Sequence, residues 1–269
     1  MNDQVQPGDE VLVERRGHTM LITINRPEAR NACNQAVWIG VGDALEEAER
    51  DDDIRAIVIT GAGDKSFSAG ADLKAIARGE QIVPDGKYAE WSFAGFANHP
   101  VKKPTIAAVN GTALGGGMEL VLAADLVVAS ETAIFGLTEA KVGLVAAAGG
   151  AFRLSQRIAP VVAMEMLLTG TPIDAERALA LNLINRVVPQ AEVVDAAIAL
   201  AEQIGENAPL SVQAHKRLAL GYTVDGERPA DAAGWAATEV LMREVSASED
   251  AKEGPRAFAE KRKPNWSGR

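Results

Sequence analysis

Two glutamates twenty positions apart, Glu119 and Glu139, are the residues of this sequence best suited to share acid and base work. Glu119 follows three consecutive glycines, Gly115, Gly116 and Gly117, where an apolar strand-like run gives way to a buried helix. Glycines at such a junction remove every Cβ from the place where the first unpaired helical N–H groups point outward. The positive end of the helix dipole adds to their field, so the junction can hold a negative charge and supply half of an oxyanion hole. A second junction of small residues, Ser66-Phe-Ser-Ala-Gly-Ala-Asp-Leu73, follows another apolar strand. Two such junctions could aim their amides at one carbonyl oxygen, and two carboxylates facing one pocket divide acid and base roles when their surroundings push their pKa values apart. The plainer alternative is that the glycines only let a helix pack closely on a strand and that the two glutamates are unrelated surface residues. Spacing alone leaves both readings open.

The elements that would carry these groups alternate between strands and helices. Residues 11–13 and 19–24 read as a hairpin about Gly17-His18, and 35–50 as an amphipathic helix with Val37, Trp38, Val41, Leu45 and Ala48 on one face. Residues 55–60 and 105–109 read as buried strands, 118–124 as the helix bearing Glu119, and 125–130 and 133–135 as further strands. Thr138 would cap a short helix that starts at Glu139 and returns the chain to the glycine junction. Residues 75–86 are polar and glycine-containing, which predicts a mobile loop. Residues 88–99 carry Trp91, Phe93 and Phe96 and read as a core helix, with the wall of an apolar substrate pocket as the alternative. The C-terminal part reads as helices over 161–168, 174–181, 191–204, 211–220, 229–243 and 248–261, with a strand-like 184–188. Cys33 reads as packing, His99 as a capping or surface residue, and His18 and His215 as solvated.

Composition narrows the function classes. The 269 residues are 47% hydrophobic and 24% charged, an ordinary soluble composition with room for one large domain or a core and an appendage. A net charge of −10 argues against a nucleic-acid binder. No apolar run approaches the roughly 20 residues of a membrane span, and no stretch resembles a signal peptide. A single cysteine points to a reducing, cytoplasmic setting. The glycines of Gly61-Ala-Gly63-Asp-Lys65-Ser66 do not make a phosphate loop, because Asp64 stands where a glycine must precede the lysine. Residues 252–269 reverse the local charge with six basic side chains against two acidic ones, either a phosphate-binding segment or a solvated tail.

Five stretches in order resemble the enoyl-CoA hydratase/isomerase, or crotonase, family. They are Asn25-Arg-Pro27 with Asn31-Ala32; Ser66 to Leu73; Lys103-Pro-Thr-Ile-Ala-Ala-Val-Asn-Gly-Thr-Ala-Leu-Gly-Gly-Gly-Met-Glu119; Phe135-Gly-Leu-Thr-Glu139; and Glu253-Gly-Pro-Arg-Ala-Phe-Ala-Glu-Lys-Arg-Lys-Pro264. The resemblance implies an α/β fold, a crotonase-like spiral of repeated ββα units (residues 1–204) followed by a C-terminal helical trimerisation region (205–269). It implies a homo-oligomer, a trimer or a dimer of trimers, acting on an acyl-CoA thioester without metal or cofactor beyond the coenzyme A of the substrate. By the same resemblance the N–H groups of Ala71 and Gly116 form the oxyanion hole. Arg30, Ala71, Asp72, Leu73 and Lys74 would line the coenzyme A site, which Phe258 and Lys261, often from a neighbouring subunit, would complete. Glu119 would be the base and Glu139 the acid in hydration of 2-enoyl-CoA to 3-hydroxyacyl-CoA, within fatty-acid or related acyl-CoA degradation. The chain departs from the family pattern at Ala146-Ala-Ala-Gly149-Gly150-Ala-Phe152-Arg-Leu154, which borders the acyl pocket and leaves the acyl group open. The rival activities are Δ3,Δ2-enoyl-CoA isomerisation, which needs an acid only at Glu139, and a non-catalytic RNA-binding or scaffold role. A serine hydrolase is disfavoured because no Gly-x-Ser-x-Gly elbow is present.

Overall fold

The structure, a computed structural model, describes residues 10–223 and 228–269. Val11–Arg16 (β1) and Thr19–Ile24 (β2) form the expected antiparallel hairpin. Gln35–Arg50 (α1) has the predicted bounds, because its apolar stripe repeats at helical spacing and the Asn34 side chain caps the Val37 N–H. The chain then runs through Ala56–Gly61 (β3), Ser66–Ser68 (β4), Leu73–Ala77 (α2), Lys87–Glu90 (α3), Thr105–Val109 (β5), Thr112–Leu114 (β6) and Gly116–Ala123 (α4). Leu126–Ser130 (β7) and Ile134–Gly136 (β8) lead to Gly150–Arg157 (α5), Pro160–Thr169 (α6), Ile173–Asp174 (β9), Ala175–Ala180 (α7) and Arg186–Val188 (β10). Val193–Gly205 (α8), Pro209–Ala219 (α9), Pro229–Ser246 (α10) and Glu249–Ala259 (α11) complete the described elements.

A six-stranded sheet has the order β1-β2-β3-β5-β7-β10, parallel from β2 onward, and a four-stranded sheet has the order β4-β6-β8-β9. Each turn of chain places one strand in the large sheet, the next in the small sheet, and then forms a helix or helical turn. β3, β4 and α2 make one such turn and β5, β6 and α4 the next, so the chain winds as a spiral of ββα units. Both faces of the large sheet are covered, which is why its parallel strands read as continuous apolar runs. Val58, Ile106, Ala108 and Val128 pack toward Val193, Ala197 and Ala201 of α8, while their neighbours Ile57, Ile59, Ala107 and Val109 face the core containing α1 and α4.

Three expectations are corrected. The strand entering the glycine junction is β6 of the small sheet, not β5, because the chain crosses between sheets at Asn110-Gly111. Residues 88–99 are not one helix: α3 ends at Glu90, and Ser92, Ala94 and Gly95 take φ of 58°, 55° and 64°, which no helix tolerates. His99 is buried, not a surface or capping residue. Its ring lies 4.2 Å from that of Trp91, which itself rests on Gly42, and desolvation pushes its pKa down to about 4. In the C-terminal segment, Arg256 and Arg262 both pair with Glu253, so part of the local positive charge is already matched.

Lys103 closes the first helix. Buried at the end of its side chain, it donates from Nζ to the carbonyls of Ala48 and Asp51 at 2.5 and 2.6 Å. Lys103→Met should therefore lower stability by about 1–3 kcal/mol, read as a lower urea midpoint at unchanged slope, because one buried and one part-buried acceptor lose their donor.

Candidate active site

Glu119 lies in the first turn of α4, only 4% exposed. Its Oε1 accepts from the N–H groups of Ala148 and Gly150 at 2.6 and 2.9 Å. Gly149, at φ +94°, makes the bend that turns these amides inward at the start of α5, and a Cβ on Gly150 would stand 2.8 Å from Oε1. Glu139 opens a 3-10 turn, Glu139–Val142, directly after β8; Thr138 makes no side-chain cap there. Its Oε2 is buried and has no partner among the described residues, and its Oε1 lies 3.5 Å from where a Cβ on Gly115 would stand.

Both carboxylates open into one cavity of about 330 Å³, lined also by Ala71, Gly115 and Gly116 and walled by apolar side chains including Trp38, Leu73, Phe93 and Met242. Burial raises both acids, Glu119 to about 8 and Glu139 to about 7, and the charge of Glu139 adds to the rise at Glu119. The amides of Gly150 and Ala148 and the positive charge of Arg153 act the other way on Glu119. The order of the two values favours a proton on Glu119, whereas two amides on its Oε1 favour its ionised form. The pair is therefore best described as sharing one proton near neutrality.

The two small-residue junctions are in contact. Ala71 forms a parallel bridge with Cys33, in which the Cys33 N–H donates to the Gly70 carbonyl at 2.8 Å and the Asp72 N–H donates to the Cys33 carbonyl at 3.1 Å. Successive peptide groups alternate in direction, so the Ala71 N–H between them faces away from Cys33 and has no acceptor among the described residues. The Gly116 N–H, at the first position of α4, has no intrahelical acceptor. A Cβ on Gly70 would stand 2.8 Å from the Gly116 nitrogen, and one on Gly117 only 2.1 Å from the Ser68 carbonyl oxygen. The helix start thus sits against the loop that carries Ala71, with the Phe93 ring covering Gly116.

The other residues singled out in the sequence are spread more widely. Leu73 lines the cavity and Lys74 is exposed beside it on α2. Asp72 accepts from the N–H groups of Lys74 and Ala75 and pairs with Arg26 at 2.9 Å, which engages both of its oxygens in holding this loop. Arg30 is exposed, and its carbonyl accepts from the Ala69 N–H at 3.0 Å, beside the Ala71 loop. Phe258 and Lys261 lie exposed at the end of α11, outside the lining of this cavity. Sequence reasoning missed the amides of Ala148 and Gly150. Their signal was present in Gly149-Gly150 ahead of a helix, the same pattern as Gly115 to Gly117. Among the described residues, no group of three or more His, Cys, Asp or Glu side chains could hold a metal, and no helix is long and apolar enough to cross a membrane.

The sequence model of the family described as enoyl-CoA hydratase/isomerase matches residues 14–269. A carnitinyl-CoA dehydratase of Salmonella enteritidis PT4 is 44% identical over 259 residues, covering 95% of this chain and 97% of the relative. Among solved structures, a carnitinyl-CoA hydratase from Mycobacterium avium is 59% identical with a TM-score of 0.94, covering 97% of this chain and 99% of that one. An enoyl-CoA hydratase from Mycobacterium tuberculosis H37Rv is 46% identical with a TM-score of 0.74, at the same coverage of 97% and 99%.

Proposed function

Because this chain belongs to the enoyl-CoA hydratase/isomerase family, we propose that it adds water to 2-enoyl-CoA thioesters, and removes it in reverse, with Glu119 and Glu139 dividing the proton transfers. The observation that supports this reading is a single cavity lined by two buried carboxylates and by Ala71 and Gly116, whose amides have no protein acceptor among the described residues. In the proposed reaction those amides donate to the thioester oxygen and draw electron density from C3. A water held between the glutamates attacks C3, Glu119 takes its proton, and Glu139 delivers a proton to C2. The intermediate enolate oxygen is stabilised by the two N–H groups, each worth about 3 kcal/mol in sites of this kind. Exposed Arg30 and Lys74 supply positive charge beside the Ala71 loop for the coenzyme A phosphates. In an oligomer, Phe258 and Lys261 would complete that site for a neighbouring copy.

One observation favours a cationic acyl group. The cavity wall carries Trp38 and Phe93 as an edge-to-face pair with centroids 5.5 Å apart, and among the described residues no Lys or Arg side chain lines it. Two carboxylates holding one proton between them leave a net negative charge there. Aromatic faces and a negative charge suit a quaternary ammonium at C4, as in the carnitinyl-CoA for which the relatives are named. Isomerisation needs one acid, and a second buried carboxylate held by two amides gives that rival no use for Glu119.

The test is loss of the enoyl-thioester absorbance when the protein is mixed with crotonyl-CoA or with its 4-trimethylammonio derivative. Faster loss with the cationic thioester supports the substrate reading, and no loss with either removes the hydration reading. The pH profile of kcat/KM should be bell-shaped. Activity requires one proton on the pair, so it falls on the acid side as both become protonated and on the basic side as both ionise. A profile flat from pH 5 to 9 would contradict the shared proton.

A further inference from the structure

Behind the site, Arg153 is buried on α5 and folds back over the first turn of its own helix. Its Nη1 donates to the Ala97 carbonyl at 2.5 Å, while Nε and Nη2 both donate to Oδ2 of Asp231 on α10, at 3.1 and 3.0 Å. The guanidinium also lies 5.6 and 5.3 Å from the ring centroids of Phe152 and Trp235. A Cβ on Gly149 would stand 3.0 Å from Nη1, so the guanidinium rests on the bend that leads into Gly150. The Gly150 amide in turn donates to Glu119. Asp231, Arg153, the Gly149-Gly150 bend and Glu119 therefore form one continuous chain of contacts from α10 to the cavity.

We propose that Arg153 is a positioning residue for Glu119, braced by Asp231 and the Ala97 carbonyl so that it fixes the bend whose amide holds the carboxylate and lends that carboxylate its charge. The inference takes from the proposed function only the use of Glu119 as base. The charged groups acting on Glu119 are Glu139 and Arg153. Those acting on Arg153 are Asp231, Arg228, which shares the same Asp231 oxygen at 3.3 Å, Tyr222, and Arg157 on the same helix. Arg153 favours ionised Glu119, and Asp231 offsets Arg153. Removing the charge of one should therefore move Glu119 opposite to removing the charge of the other.

The titration of Glu119 can be read without turnover, as the protonated-carboxyl band in pH-difference infrared spectra of the full chain, assigned by its loss in Glu119→Gln. Asp231→Asn should move that titration to lower pH, Arg153→Gln to higher pH, and Arg153→Lys back toward wild type. Shifts in the same direction, or none beyond about 0.3 pH unit, overturn the proposal. Asp231→Asn is nearly isosteric and carries the test alone if Arg153→Gln does not fold: no shift, or a shift to higher pH, is then the contrary result. The acid limb of kcat/KM should move with the band. A band that moves while that limb stays fixed sinks the role of Glu119 in hydration and leaves the positioning intact.

Discussion

Glu119→Gln and Glu139→Gln are each expected to lower kcat for hydration about a thousandfold, with KM little changed. Glutamine keeps the size of the side chain and can still accept from the Ala148 and Gly150 amides at position 119, so what is lost is the proton transfer. The same Glu119→Gln protein should be more heat-stable than wild type at pH 8. Folding raises this carboxyl from the ordinary 4.5 to about 8, so between those values the folded chain binds more protons than the unfolded one. Stability then falls as pH rises through that window, and above it the buried charge costs about 5 kcal/mol for a shift of this size, which the neutral glutamine does not incur. Near pH 4 the two proteins should melt alike. A variant that is inactive and also less stable at pH 8 would mean that Glu119 is a structural carboxylate held by its amides rather than a poised acid-base group.

The second large effect is expected at Gly117. Its Cβ would lie 2.1 Å from the Ser68 carbonyl oxygen, a backbone atom that cannot swing aside. Gly117→Ala must therefore push the start of α4 off the β4 loop, separating the Ala71 and Gly116 amides and tilting Glu119. The expected cost is about 3 kcal/mol of stability together with loss of most activity in whatever fraction folds. Gly79→Ala is the control: among the described residues nothing lies within 4 Å of the added carbon, and only its φ of +77° is strained. It should cost about 1 kcal/mol and leave turnover intact. If both variants behave alike, close approach of the two junctions is not what Gly117 provides.

These expectations rest on features that were unequally legible in the sequence. α1 and β5 could be read to the residue, since a repeating apolar stripe and a short β-branched run bounded by breakers are local signals. Glu119, Glu139 and the two glycine-containing junctions were legible as residue types at suggestive places. That they share a cavity depends on how the ββα turns stack, which no local window contains. The segment 88–99 failed for the same reason. Its composition suits a helix, but Trp91 finds its place on Gly42 and Gly95 lies against the Trp38 carbonyl, contacts between stretches some fifty residues apart. Those contacts hold Ser92 and Ala94 at positive φ and deliver Phe93 to the face of Gly116. His99 was misjudged along with them, because its burial follows from where Trp91 goes. The anchors of Glu119 at Ala148 and Gly150 are backbone amides in the stretch that departs from the family pattern, and a backbone donor carries no side-chain signature.

The convergence of two amides on one thioester oxygen can be measured most directly with a substrate labelled with carbon-13 at its carbonyl, bound to the inactive Glu119→Gln protein and followed by infrared difference spectroscopy. The account predicts that the carbonyl stretch moves to lower frequency on binding, as two N–H donors lengthen the C=O bond, and that Gly117→Ala abolishes the shift. A bound thioester whose carbonyl absorbs as it does in water would contradict it.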